Sequence, residues 1–139
     1  MLRATRRELT RAYRHHRNYC TDLTVVAYRL IALYCIECGL KALILQQRRV
    51  ESTDELPPEA EIGHDLIAGL RLLRAPVALF KIRDLPVFTR HDRDPQDRVV
   101  VKDLHQTLRY GISTTLEPAV STEIANIVAW LEKRFNEDN

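Results

Sequence analysis

Glycine is scarce in this 139-residue chain, with only four, and aromatic residues make up just 6% of it. So small a supply of the residue that turns tight corners weighs against a hairpin-rich β fold, and the wealth of Leu, Ala, Arg and Ile favours helix. Cysteine is short too. The three Cys all fall between positions 20 and 38, and an odd number makes no disulfide framework. Cys35 and Cys38 stand in a C-x2-C spacing, but no second pair follows at zinc-finger distance, so they read as buried free thiols. No metal and no cofactor is expected, and a reducing cytoplasm is the expected compartment. The chain also lacks an uninterrupted apolar span. Its longest apolar run, Cys20 to Leu45, is broken by Asp22, Arg29, Glu37 and Lys41, which argues against a membrane helix. The Arg-rich start carries no apolar h-region of a signal peptide. Acid is missing there as well: six Arg lie within the first 17 residues, with Glu8 the sole acid among them.

What is present describes an ordinary globular chain. With 45% hydrophobic and 29% charged residues, 139 residues suit a single domain, 1–139, with one sizeable core. The formal net charge is only +2, yet seventeen of the 21 basic residues are Arg, the side chain best fitted to bidentate contact with phosphate or carboxylate. Within the basic N-terminal segment 1–18, residues 2–18 form an amphipathic pattern. Leu2, Leu9, Tyr13, His16 and Cys20 lie near one stripe, and Arg3, Arg7, Arg11 and Arg14 on another. That cationic face reads either as solvated surface or as a phosphate-tracking patch for RNA.

A second helix, capped by Thr21 or Asp22, should run to about Gln47 and be apolar on more than one stripe, which places it in the middle of a bundle or partly in a dimer interface. Residues 50–61, acidic and containing Pro57-Pro58, read as an exposed connection. A third helix is expected from Ile62 or Gly63. After Pro76, a short piece over Val77–Arg83 should turn Val77 and Phe80 inward. The charged loop 84–97 follows, then a helix from Arg98 ended by Gly111 in a C-terminal cap. The last helix, with Pro118 in its first turn, should bury Val120, Ile124, Ile127, Val128, Leu131 and Phe135, with Trp130 at the flank. The fold class is all-α.

Several of these residues together resemble a known pattern. Glu37-x3-Lys41-Ala42 on the long helix, Gly63-His64-Asp65-Leu66 after an acidic loop, Leu70, and Arg109-Tyr110 before a last helix are similar to the HEPN family (higher eukaryotes and prokaryotes nucleotide-binding domain). The likeness covers roughly residues 20–130 and departs at Gly111, where many members have Pro. It implies an up-and-down four-helix bundle, here with an additional basic N-terminal helix, commonly a homodimer with a polar cleft. Members include metal-independent endoribonucleases of toxin-antitoxin or defence type. Others are non-catalytic modules that bind a nucleotide or a partner nucleotidyltransferase.

The catalytic members carry an Arg followed by a His after four to six residues. A His titrating near neutrality can move the protons of a 2′-hydroxyl attack, and an Arg can hold the phosphate as charge develops. Arg11 with His16 and Arg98 with His105 both fit, although about two such matches are expected from chance placement alone. Arg98 and His105 are the candidate catalytic pair, since they lie late in the chain and seven residues apart on one helical face. The cleft candidates are Glu37, Lys41, His64, Asp65, Arg109 and Tyr110. Charges on an otherwise apolar helix need partners, because burying either alone costs several kcal/mol. They read as a buried network fixing helix register or as a pocket for RNA phosphate or another ligand.

Overall fold

Thr5 and Glu8 start the first helix, α1 (Arg6–Arg17), by capping each other: the Thr5 hydroxyl accepts from the Glu8 N–H at 3.1 Å, and the Glu8 carboxylate accepts from the Thr5 N–H at 3.4 Å. The helix therefore begins at Arg6, later than the apolar periodicity suggests. The computed structural model describes residues 3–20, 22–23, 26–84, 103–104 and 118–137. Within them the architecture is helical, and among the described residues the strand-like pairing is a single antiparallel bridge between Thr5 and Ser52. That bridge matters for placement. The Arg6 N–H donates to the Glu51 carbonyl at 2.8 Å and the Thr53 N–H to the Ala4 carbonyl at 2.9 Å, so the N-terminal segment is tied to the acidic connection.

The central helix, α2 (Val26–Arg48), spans about 35 Å. Ala32, Leu33, Cys35, Ile36, Leu40, Leu43, Ile44 and Leu45 are buried on nearly all its sides, because α1, α3 and the last helix all pack against it. Gly39 is what lets two of them come close. A Cβ there would lie 3.0 Å from the Tyr13 ring and 3.2 Å from Leu131. Helix α2 stops in a Schellman motif: Val50 N–H donates to the Leu45 carbonyl, Arg49 N–H to Gln46, and Arg49 adopts φ +58°.

The connection 50–61 is more ordered than its composition suggests. It folds into two 3₁₀ turns, Thr53–Glu55 and Pro58–Ala60, and buries Ser52 and Ala60. Helix α3 is Leu66–Leu72, shorter and later than expected from Ile62, because Gly63 turns the chain at φ +56° and Asp65 caps the helix. Val77–Asp84 forms a 3₁₀ segment in which Phe80 packs partly against the core as expected, while the expectation for Val77 fails. Val77 is 86% exposed, while Leu79 and Ile82 are buried. With three residues per turn, 79 and 82 share the inward face and 77 falls on another. The last described helix, α4 (Pro118–Glu137), buries Val120, Ile124, Ile127, Val128, Leu131 and Phe135 as its pattern requires, with Trp130 partly buried beside Arg134. No described helix is long and apolar enough to cross a membrane.

Candidate functional site

Three charged or titratable side chains meet on the outer flank of α2. Glu37 keeps only 12% of its side chain exposed, Lys41 26% and His64 51%. One carboxylate oxygen, Glu37 Oε1, serves both neighbours: Lys41 Nζ lies 3.8 Å away, one helical turn on, and His64 Nδ1 bonds to the same oxygen. A carboxylate only accepts, so Nδ1 is the donor in this pair. The Gly-His-Asp-Leu segment has a division of labour that explains its order. Gly63 supplies the left-handed turn, His64 reaches Glu37, and the Asp65 carboxylate accepts from the Ala68 N–H at 3.1 Å to cap α3. Leu66 then enters the core at 4% exposure. Asp65 is thus turned onto its own helix and away from the charged trio.

Lys41 also borders a small cavity of about 80 Å³ shared with Leu9, Ile44, Ile62 and Gly63. Drug-sized or nucleotide-sized ligands occupy roughly 300–1,000 Å³, so this space is too small for one. A larger groove of about 650 Å³ lies elsewhere, between α1, the end of α2 and the end of α4. Arg6, Arg7, Thr10, Arg11 and Arg14 form its long wall, and Gln46, Glu51 and Phe135 complete it. The Phe135 ring stacks on Tyr13 with centroids 4.3 Å apart, which fixes that wall. Tyr13 in turn donates its hydroxyl to Glu132 at 2.6 Å. Burial, reinforced by that carboxylate, pushes the phenol's pKa well above its ordinary value, so it stays a neutral donor.

The three cysteines are all free, and two of them bond to carbonyls of α1. The Cys20 thiol donates to the His16 carbonyl at 3.3 Å and the Cys35 thiol to the Tyr13 carbonyl at 3.6 Å. Cys35 is buried, and its hydrogen bond with Cys20 together with burial pushes its pKa up. It is an inert core thiol.

Glu37, Lys41 and His64 are brought together, and Asp65 is placed next to them as a helix cap. Arg98, His105, Arg109 and Tyr110 lie outside the described residues, as does Gly111. Arg11 and His16 are five residues apart on α1, roughly 140° around the helix. Arg11 lines the groove, whereas His16 is partly buried and its pKa is lowered by burial and by neighbouring His15. The groove itself was only half legible. The Arg stripe was visible, but its opposite wall comes from Gln46, Glu51 and Phe135, which no local pattern joins to α1. No family model, curated protein or solved structure matches the chain.

Proposed function

We propose that this chain is a small HEPN-type domain of the prokaryotic toxin-antitoxin or defence kind. In this reading its four-helix bundle is up-and-down, it pairs as a cytoplasmic homodimer, and it cleaves RNA without metal. Arg98 holds the scissile phosphate and His105 moves the protons, two copies of the pair meeting across the two-fold axis. Arg109 and Tyr110 join the cleft marked by Glu37, Lys41 and His64. The observation that carries the reading is the junction at Glu37, which links the long-helix motif to the Gly-His-Asp-Leu motif 27 residues away. Two motifs of the set that together resembles one family are here joined through one carboxylate. The test is cleavage of RNA by the purified protein in EDTA. Activity should be present and should fall at least about a hundredfold in both Arg98→Ala and His105→Ala; undiminished cleavage in the two variants refutes the site.

A second reading has its own support. Glu37 is mostly buried and already engaged by Lys41 and His64, as in a charge network whose work is to fix helix register. On that reading the domain is a non-catalytic module for a nucleotide or for a partner nucleotidyltransferase acting as antitoxin. It predicts no RNA cleavage in the same assay.

A further inference from the structure

The six arginines at the start of the chain fall into two sets. Arg3 faces Asp54 at 3.6 Å, Arg6 faces Glu51 at 3.9 Å, and Arg17 faces Glu132 at 3.5 Å. Arg7, Arg11 and Arg14 have no acidic partner among the described residues, and all three line the groove of about 650 Å³. Their spacing is unfavourable to α1 by itself. Arg7 with Arg11 is an i, i+4 pair of like charges and Arg11 with Arg14 an i, i+3 pair, an arrangement that weakens a helix. Arg7 also sits in the first turn, where the helix dipole disfavours a cation. Helix stability does not account for three guanidinium groups along about 10 Å of one helix that meet no acid among the described residues.

The geometry points to a binding site for a compact oligophosphate: a ligand with two or more linked phosphates that Arg7, Arg11 and Arg14 grip in succession. Guanidinium groups bind phosphate oxygens in forked pairs, and a concave site holds them on one side of the ligand. The far walls suit a bounded ligand better than a continuing strand. At the N-terminal end of α1 the groove meets Glu51, with Asp54 and Glu55 in the same acidic connection. A nucleic-acid backbone leaving that way would run into carboxylates, whereas a short phosphate chain ends before them. Gln46 and the buried edge of Phe135 border the groove on the other side, and the exposed Gln46 amide is the group against which a base or another polar headgroup can rest. The site rests on the groove alone and stands apart from the HEPN reading and from RNA cleavage.

The probe is inorganic tripolyphosphate, titrated by calorimetry into the full chain at moderate salt, with ATP as a second arm and a single-stranded RNA oligomer as competitor. Saturable binding of one tripolyphosphate per chain is expected. It should weaken about tenfold or more in Arg11→Gln and Arg14→Gln, and stay within about twofold in Arg3→Gln, whose side chain is engaged by Asp54. Arg11→Gln should also leave the thermal midpoint of the unliganded protein unchanged or raised, because a repulsion is removed; a purely structural arginine would lower it. ATP binding more tightly than tripolyphosphate, with the excess lost in Gln46→Ala, would mark a nucleotide as the source of the phosphates. Equal affinity would mark the phosphate chain itself. Absence of saturation, equal loss in Arg3→Gln and Arg11→Gln, or RNA that binds at α1 without being displaced by tripolyphosphate would each overturn the proposal.

Discussion

His16 shows how a single side chain can be read in two ways from sequence and in one way from structure. By spacing it is a candidate proton carrier behind Arg11. In the fold it is partly buried on a different side of α1, and burial together with His15 lowers its pKa from the ordinary 6.5. The sign of the consequence follows directly. Because the folded-state pKa is the lower one, the unfolded chain takes up the proton first as pH falls, so the stability is complete above about pH 6.5 and is lost progressively below it. Urea midpoints measured at about pH 7.5 and about pH 5.5 should therefore fall further for the native chain than for His16→Gln. Equal losses in the two proteins would mean that His16 contributes nothing to the acid sensitivity. At the same scale, the Glu37 and Lys41 pair was legible because two charges on an apolar helix need partners. Their bond to His64 was legible only as a candidate, since nothing in the sequence states that Gly63 turns the chain back at that point.

The helices that sequence periodicity described best are those with the most complete core faces. Every inward residue expected on α4, from Val120 to Phe135, is buried. Helix ends were harder to place. The start of α1 carries a legible signal in Thr5-Arg6-Arg7-Glu8, a capping box that outranks the apolar Leu2 upstream. The end of α2, expected at about Gln47, falls at Arg48, and neither it nor the end of α3 carries a glycine signal. Both close in Schellman motifs whose left-handed residue is an arginine, Arg49 at φ +58° and Arg74 at φ +55°, where glycine is the usual signpost. Forcing a side chain into that region costs about 1–2 kcal/mol, partly offset by the extra freedom glycine has when unfolded. Arg74 is exposed, so Arg74→Gly should gain about 0.5–1 kcal/mol in chemical denaturation. A loss of stability would show that the Arg74 side chain does more than the backbone geometry indicates. In the 3₁₀ segment after Pro76 the spacing of three leaves the choice of face open: Leu79 and Ile82 fill the core, Phe80 is only partly buried, and Val77 is exposed.

For the molecule as a whole, α2 is both the centre of the core and the carrier of the charged junction. Packing by α1, α3 and α4 leaves its flank around Glu37 and Lys41 half covered, and His64 completes the cover from the turn before α3. The all-α class could be read from composition, since few glycines and long apolar periodicities leave little else. The tie between the N-terminal segment and the acidic connection could not. It depends on backbone bonds between Ala4–Arg6 and Glu51–Thr53, and backbone groups leave no compositional trace. The groove on α1 exists because of that tie, which brings Glu51 to one end of the arginine row.

Central to this account is the claim that Glu37 is a junction holding two distant motifs together. A double-mutant cycle of Glu37→Gln and His64→Gln, read by urea denaturation at neutral pH, tests it most directly. The account predicts that the two losses fall short of adding, with a coupling of about 1 kcal/mol or more. Losses that add within about 0.3 kcal/mol would contradict it, for then His64 and Glu37 would stabilise the fold independently and the junction would carry no energy.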